Sequence, residues 1–176
     1  MEETILHREE IYSGRVVNLS VATVRLPNGG ESRREIVKHP GAVAIVALDA
    51  DQNVLLVRQF RLAADKILLE IPAGTLKPDE PPEICARREL QEETGYLPGR
   101  LEAIGGIYPA PGYTTEYIHL YLATDLSESR LAMDDDEFIE IERVPLREVL
   151  SMIERDQLAD GKSVAALLKV ARRLSV

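Results

Sequence analysis

The chain has 176 residues, of which 45% are hydrophobic and 29% are charged, and this fits one soluble globular domain with a substantial core. Its formal net charge of −9 excludes general electrostatic binding to nucleic acid. No apolar run is long enough to span a membrane, no signal peptide is evident, and the single Cys85 excludes an internal disulfide. We therefore expect a cytoplasmic protein with neither a nucleic-acid partner nor a membrane partner.

The first forty residues read as an antiparallel β meander. Strands are predicted at residues 10–12, 16–26 and 32–38. Pro27-Asn28-Gly29-Gly30 separates the last two strands, and Asn-Gly is a strong hairpin-turn signal. A meander of residues 1–40 is too small to fold alone, so we expect it to pack onto a main domain of residues 41–176 or onto a partner subunit.

The remainder alternates strands with few helices. Residues 42–48 form an unbroken apolar run that predicts a fully buried strand. Further strands are predicted at residues 54–61, 67–71, 101–107, 116–123 and 137–144, and closing helices at residues 146–155 and 162–174. Pro145 suits the start of the first closing helix. This pattern indicates an α/β (α+β) fold, with a mixed β-sheet covered by helices on both faces.

An acidic helix lies between the two groups of strands and carries Glu89, Glu92 and Glu93. At spacings of three and four, these carboxylates share one helix face, where like charges repel. A hard divalent cation such as Mg²⁺ would offset that repulsion. The alternative is a solvated acidic surface helix, which the local sequence alone would favour; on either reading we expect Glu93 to be exposed.

The ends and inner face of this helix are also readable. Asp79 can serve as N-cap, Pro81 and Pro82 suit the first turn, and Gly95 occupies the position of a left-handed C-terminal cap. An inner apolar face is predicted for Ile84, Cys85, Ala86 and Leu90, with the cysteine as a small core residue and not a nucleophile.

The complete spacing resembles the signature of the Nudix hydrolases. Gly74 is followed after five residues by Glu80, and after seven more by the run 88–95, Arg-Glu-Leu-Gln-Glu-Glu-Thr-Gly. Tyr96 departs from that signature, since an aliphatic residue is usual at this packing position. The departure leaves the chemistry of the signature intact.

Other segments are similar to the ADP-ribose pyrophosphatase subgroup of that family. Pro111 lies fifteen residues after Tyr96 in a Pro-Gly-x-Thr-x-Glu context, which on its own is equally typical of an ordinary turn. Further similar segments are residues 33–43, 57–61, 133–139 and 160–163. The resemblance covers about residues 8 to 172 and implies hydrolysis of ADP-ribose to AMP and ribose 5-phosphate with Mg²⁺, or Mn²⁺ as a substitute ion.

The resemblance also implies roles for the residues of the acidic helix and the loop before it. Metal ligands are expected first from Glu89 and Glu93, then from Glu92, with the Ala73 carbonyl as a backbone ligand. Arg88 and Glu80 should orient those ligands, since Arg88 lies four residues before Glu92 and can pair with it. Gly74 allows the backbone to approach the site closely.

The resemblance also implies a general base on a loop remote from the signature, which in this chain is the acidic loop of residues 134–137. Asp135 occupies the position at which a glutamate often serves as base in the resembling enzymes, but its side chain is one methylene shorter. We therefore favour Glu137 slightly, as base or as a metal-linked carboxylate. Without the signature, a solvated acidic turn would be the better interpretation of this loop.

The resemblance implies substrate contacts for Arg34 and Arg61, which match arginines that contact the diphosphate or the ribose in the resembling enzymes. Arginine suits this role because it offers paired donors to phosphate. Strand-end salt bridges are an equally good interpretation of both arginines. From the loop, Pro111 and Gly112 are assigned to the substrate pocket, and Glu116 to a hydrogen bond with the terminal ribose.

Two tyrosines and two histidines are weaker candidates. Tyr12 or Tyr113 could stack on adenine, although packing in the core is the favoured interpretation. His39 and His119 are expected to be structural and not ligands.

Two other functions compete with ADP-ribose hydrolysis. One is a Nudix pyrophosphatase acting on another nucleotide sugar such as GDP-mannose, and the other is a non-catalytic Nudix domain that senses ADP-ribose. The resemblance also implies a homodimer in which the N-terminal strands exchange or pack between subunits.

Overall fold

A computed structural model describes residues 1–131 and 138–176. The chain divides into two compact units, the first formed by residues 1–41 with 108–117 and the second by residues 42–107 with 118–176. Within the described part of the chain, none of the helices combines the length and apolar character needed to cross a membrane.

The first unit contains a three-stranded antiparallel sheet. Its strands are β1 (Thr4–Ser13), β2 (Asn18–Arg25) and β3 (Glu31–Lys38), in that spatial order. The predicted hairpin turn is confirmed, with Gly29 at φ 85° and its N–H donating to the Leu26 carbonyl at 2.9 Å. The first strand starts at Thr4 instead of residue 10. Every residue of β1 is exposed, so no apolar alternation marked it in the sequence.

The loop Tyr108–Tyr117 belongs to this first unit through main-chain pairing with β3. The Val37 N–H donates to the Tyr113 carbonyl at 2.7 Å, and the Thr115 N–H donates to the Val37 carbonyl at 3.0 Å. The Pro111-Gly112 turn is therefore held against the meander by hydrogen bonds that link positions about 76 residues apart in the chain.

The described residues of the second unit form a mixed seven-stranded sheet with three helices. Its strands are β4 (Ala42–Leu48), β5 (Asn53–Arg61), β6 (Lys66–Glu70), β7 (Ala73–Thr75), β8 (Tyr96–Ile107), β9 (Ile118–Glu128) and β10 (Ile139–Pro145), and its helices are α1 (Pro82–Thr94), α2 (Leu146–Glu154) and α3 (Gly161–Leu174). The main path runs β10-β5-β4-β9-β8, with β6 paired to β5 and β7 paired to β4. Strands β4 and β9 are parallel, and the other pairs are antiparallel.

Strand β4 lies at the centre of the core and is buried along its full length, as predicted. On one face Val43, Ile45 and Ala47 pack with α1, and the residues between them pack in a second cluster with α2 and α3. Helices therefore cover both faces of a mixed sheet, and the predicted fold class is confirmed.

Several predicted boundaries in the second unit were wrong. The short strand β7 lies in a segment that was expected to be a loop, because three residues are too few to show a periodic pattern in the sequence. In the structure these residues pair with β4, from Ala42↔Thr75 to Ala44↔Ala73. Strand β8 begins at Tyr96 and not at 101, and β9 runs on to Glu128. Pro98 and Gly99 weaken the strand pattern in the sequence, whereas pairing with β9 maintains it in the fold.

Helix α1 departs from its predicted start and agrees with its predicted end. Asp79 has φ 58° and is not the N-cap; Pro81 occupies that position without a side-chain cap, and Pro82 begins the helix. Gly95 has φ 74°, and its N–H donates to the Gln91 carbonyl at 3.0 Å, as expected for a left-handed cap. Ile84 is 55% exposed, so it does not belong to the inner face.

Candidate active site

Arg88 on α1 joins three carboxylates. Its Nε and Nη2 donate to the two oxygens of Glu80 at 2.9 and 3.0 Å, forming a two-point ion pair. Its Nη1 donates to Glu89 Oε1 and to Glu92 Oε2, both at 2.7 Å. The predicted pairing of Arg88 with Glu92 is present. Arg88 thus ties the loop before the helix to two carboxylates on the helix face.

Glu80 is held ionised by this arrangement. The paired hydrogen bonds from Arg88 lower the pKa of Glu80 to about 2, helped by the Lys77 N–H, which donates to Glu80 Oε2 at 3.0 Å. The same ion pair raises the pKa of Arg88. Both groups are therefore charged throughout the neutral range, and the geometry of the cluster is independent of pH there.

The lowered pKa of Glu80 gives a testable pH dependence of stability. In the unfolded chain, the Glu80 carboxyl has its ordinary pKa of 4.5, whereas in the folded protein its pKa is about 2. Between these two pH values the unfolded chain therefore binds a proton at Glu80 and the folded protein does not. We expect the free energy of unfolding of the wild type to fall more steeply than that of Glu80→Gln as the pH drops through this window. Urea unfolding at a series of pH values measures both slopes, and parallel curves would contradict the ion pair.

Glu89 and Glu93 are buried, with exposures of 8% and 4%. Glu93 Oε2 accepts the Ala73 N–H at 3.1 Å, and a Cβ placed on Gly74 would lie 1.9 Å from the Glu89 Cδ. The expectation that Glu93 is exposed was therefore wrong, because β7 packs directly over this turn of the helix. Buried carboxylates are costly unless they are paired, so a solvated surface helix does not describe this face.

The donor set fits a divalent cation, although the side chains do not converge in a ligand cage. Among residues 1–131 and 138–176, no group of three or more His, Cys, Asp or Glu side chains is arranged to hold one ion. Glu89 and Glu92 turn toward Arg88, and Glu93 turns toward Ala73. Three carboxylates around one guanidinium leave excess negative charge, and Mg²⁺ needs only one or two carboxylates beside other oxygens.

Cys85 packs beneath this cluster as predicted. Burial raises the pKa of its thiol to about 12, and the Arg88 Nη2 donates to its sulfur at 3.4 Å. A thiol in that state is neither a nucleophile nor a metal ligand at neutral pH. Cys85 is accordingly a core residue.

Arg61 lies at the end of β5 and pairs with a residue that sequence reasoning missed. Its Nε and Nη2 donate to the two oxygens of Glu70, both at 2.8 Å, so the strand-end ion pair considered as an alternative is present. Hydrogen bonding to Glu70 raises the pKa of Arg61, and the nearby charge of Glu93 adds to that effect. Arg61 therefore lies within electrostatic range of Glu93, one residue of the acidic helix. The sequence signal that could have identified Glu70 is its position as a charged residue directly after the apolar pair Leu68-Leu69.

The first unit brings Arg34 and Gly112 to one cavity. This cavity of about 450 Å³ is lined by Val21, Arg33, Arg34, Glu35, Gly112 and Tyr113. Arg34 donates from Nε and Nη2 to the two oxygens of Glu3 at 3.0 and 2.5 Å. Pro111 is not among the lining residues, and Glu116 instead lies 3.8 Å from His39 Nδ1.

The expectations for the two tyrosines and the two histidines had different outcomes. Tyr12 and Tyr113 are both exposed, so the favoured interpretation that they pack in the core was wrong. His39 Nδ1 accepts the Gly41 N–H at 3.1 Å, which is a structural role in the turn. His119 is half-buried in β9, and burial lowers its pKa.

Asp135 and Glu137, the two candidates for the base, lie outside the described residues, as does the rest of the segment 132–137. Their assignment remains the expectation stated from the sequence.

Comparison with known proteins connects this geometry to a family. The NUDIX domain model matches residues 38–167. The chain is 43% identical over 169 residues to an ADP-ribose pyrophosphatase of Bacillus subtilis, covering 95% of this chain and 91% of that protein. It is 44% identical over 168 residues to a methanol dehydrogenase activator of Bacillus methanolicus, covering 94% of this chain and 91% of that protein.

Two further similarities bear on the substrate and the fold. A GDP-mannose pyrophosphatase of Salmonella typhimurium is 34% identical over 187 residues, with 95% of both chains covered. The crystal structure of an ADP compounds hydrolase superposes with a TM-score of 0.89 at 25% identity, covering 99% of this chain and 95% of the other. The matched residues 38–167 include the whole Arg88 cluster, and the chain belongs to the NUDIX domain family as a Nudix hydrolase.

Proposed function

We propose that this protein hydrolyses the diphosphate of ADP-ribose to AMP and ribose 5-phosphate in a Mg²⁺-dependent reaction. The observation that carries the proposal is the buried pair Glu89 and Glu93, packed against Ala73-Gly74, with Glu89 held by Arg88 and Glu93 by the Ala73 N–H. Relatives at 43% and 34% identity named ADP-ribose pyrophosphatase support the choice of substrate.

The chain contributes mainly positioning and charge to this reaction. Phosphoryl transfer needs aligned groups and neutralised charge more than covalent chemistry. We assign metal binding to Glu89, Glu93, Glu92 and the Ala73 carbonyl. A divalent cation bound there would supply Lewis acidity toward the diphosphate and a lowered pKa for an attacking water.

Arg88 and Glu80 keep these carboxylates in place. Both residues are charged at neutral pH, and the Arg88 guanidinium donates hydrogen bonds to Glu89 and to Glu92 on the same face of α1. Their mutual repulsion is thereby reduced before a cation arrives, which favours a preorganised face over a flexible one. This is the contribution we assign to the Arg-Glu pair of the signature.

Substrate contacts are assigned separately in each unit. In the second unit, we assign Arg61 to the diphosphate, because its guanidinium lies within electrostatic range of Glu93. In the first unit, we assign Arg34 and the Pro111-Gly112 turn to the substrate, with Glu116 as acceptor for a ribose hydroxyl. A substrate anion that contacts Arg34 must compete with Glu3 for its donors.

The choice of base is open to a direct comparison. Glu137→Gln and Asp135→Asn each remove one candidate carboxylate with little change in size. At saturating Mg²⁺, we expect Glu137→Gln to reduce kcat by roughly 10²- to 10⁴-fold, the usual contribution of a general base, and Asp135→Asn to reduce it less. A larger loss for Asp135→Asn would reverse the assignment.

Turnover of purified protein against a panel of nucleotides tests the function itself. The panel contains ADP-ribose, GDP-mannose, NADH, diadenosine polyphosphates and 8-oxo-dGTP, each with Mg²⁺ and with EDTA. Preference for ADP-ribose, abolished by EDTA, would establish the proposal. Because the chain is also similar to GDP-mannose pyrophosphatases, preference for GDP-mannose is the second candidate and would retain the metal site while replacing the proposed substrate.

We also propose that the protein is a cytoplasmic homodimer. Strand β1 is exposed along its length and presents Ile5, Leu6, Ile11 and Tyr12, a concentration of apolar side chains unusual for one edge strand. Pairing of this surface with a second copy would cover it. Sedimentation equilibrium tests the proposal, and a monomer at micromolar concentration would overturn it.

A further inference from the structure

A buried charged cluster lies at the junction of β5, β6 and α3. Glu70, the last residue of β6, is only 1% exposed. Its carboxylate accepts two hydrogen bonds from Arg61, and its Oε2 also accepts one from Lys162 Nζ. One buried anion is thus shared by two cations from different elements. Burial alone would raise the pKa of Glu70, but these two cations reverse the effect and lower it.

The start of α3 is attached to the same point. Asp160 caps the helix by accepting the Ser163 N–H at 3.0 Å, and its Oδ2 also accepts from Lys162 Nζ at 3.0 Å. The hydroxyl of Ser163, which is fully buried, accepts the Ile71 N–H at 2.9 Å. The residue after Glu70 is therefore held by α3, and two residues further along the chain Ala73 binds Glu93.

Arg61 has an edge that this cluster does not use. Both hydrogen bonds recorded for its guanidinium in the described part of the chain leave from Nε and Nη2, and its side chain is 40% exposed. Among residues 1–131 and 138–176, Nη1 has no hydrogen-bond partner, so its N–H groups can serve a ligand. The charge of Glu93 contributes to the raised pKa of Arg61, so the guanidinium lies within electrostatic range of the acidic cluster.

Lys162 changes how strongly Glu70 neutralises Arg61. A guanidinium paired alone with a buried carboxylate forms a nearly neutral unit that attracts a phosphate weakly. Because Lys162 also pairs with the Glu70 carboxylate, that carboxylate neutralises less of the positive charge of Arg61, and more of this charge can attract an incoming anion. The orientation of the Arg61–Glu70 ion pair is also fixed, because the two oxygens of Glu70 accept hydrogen bonds from both Arg61 and Lys162.

We propose that Glu70 and Lys162 are positioning residues for Arg61, holding its guanidinium so that the Nη1 edge binds a phosphate oxygen of a diphosphate. The inference deepens the proposed function and rests on it for the identity of the substrate. It assigns no contact with the substrate to Glu70 or Lys162 themselves.

A double-mutant cycle measures the coupling. Binding of inorganic pyrophosphate in saturating Mg²⁺ is followed by calorimetry for the wild type, Lys162→Met, Arg61→Ala and the double variant. We expect Arg61→Ala to weaken binding by about 10- to 100-fold, the usual cost of a charge-assisted hydrogen bond. Lys162→Met should weaken it by roughly 5- to 10-fold, and this effect should vanish in the Arg61→Ala background.

Two further variants separate positioning from general effects. Lys162→Arg keeps the charge and should bind pyrophosphate within about 2-fold of the wild type. Lys169→Met removes an exposed lysine from the same helix and is the matched control for net charge. With ADP-ribose as substrate, Lys162→Met should raise KM and leave kcat nearly unchanged, a separation that loss of stability alone would not produce.

The outcomes distinguish this inference from the proposed function. A lower Tm for Lys162→Met with unchanged pyrophosphate affinity would overturn the inference, as would an effect of equal size with and without Arg61. Equal affinity of the wild type and Arg61→Ala for pyrophosphate would overturn it too. If ADP-ribose is not hydrolysed but pyrophosphate binding shows the expected coupling, the proposed function fails and the positioning role stands.

Discussion

Glu93→Gln is expected to remove most turnover while the fold survives. The glutamine keeps the length of the side chain, and its amide oxygen can still accept the Ala73 N–H that Glu93 accepts at 3.1 Å. It loses the negative charge with which we expect Glu93 to bind the cation. The predicted loss in kcat at saturating Mg²⁺ is on the order of 10²- to 10³-fold, as for other preorganised electrostatic groups.

Glu83→Gln is the matched control for that variant. Glu83 lies on the same helix, is exposed and pairs only with Arg87 among the contacts recorded for the described residues, at 3.1 Å. We expect it to retain wild-type kcat. Circular dichroism and Tm should be close to wild type for both variants. Wild-type turnover of Glu93→Gln at saturating Mg²⁺ would contradict the metal assignment, because a neutral amide cannot replace a carboxylate ligand without loss.

Gly74→Ala is expected to disrupt the same site by steric means. The added methyl group would lie 1.9 Å from Glu89 Cδ and 2.1 Å from Glu89 Oε1, which real Cβ contacts do not tolerate. Either β7 must move away from α1 or Glu89 must leave its place beside Arg88. We expect kcat to fall by about 10²-fold or more, and stability to fall by roughly 1–3 kcal/mol, the usual cost of overpacking.

Gly161→Ala provides the comparison for this variant. A Cβ at Gly161 meets no atom within 4 Å, and the residue lies at the start of α3, where alanine is well accommodated. Steady-state kinetics and thermal unfolding of both variants separate the local clash from a general effect of replacing glycine. Gly74→Ala with wild-type kcat would show that Glu89 does not need its observed position for catalysis.

Local patterns in the chain anticipated the elements that carry the site. The unbroken apolar run of β4 predicted its burial on both faces, and Gly95 predicted the end of α1. The spacing of Arg88 and Glu92 predicted their ion pair, since residues four apart on a helix are neighbours. These features depend on helix or strand geometry over a few residues, which is why sequence reasoning reached them.

Other features depended on contacts between distant segments. The burial of Glu93 follows from how β7 packs on α1, and β7 itself forms by pairing with β4. The exposure of Ile84 likewise depends on which side of α1 faces the sheet, and no local periodicity reports any of these features. Docking of the Pro111-Gly112 loop on β3 joins residues about 76 positions apart. The start of β1 was missed because pairing with β2, and not an apolar face, forms that strand.

The sequence by itself therefore determined the family, the fold class and the set of carboxylates and arginines available for chemistry, because these follow from residue identity and short-range spacing. Only the tertiary structure decided which of those groups are buried and which partner each one takes. Glu70, Arg61 and Lys162 come from three elements, and their shared ion pair exists because the sheet and α3 bring them together. Electrostatic interactions depend on the distance between charges in space, so the charge available to a substrate depends on that long-range packing and not on the order of residues along the chain.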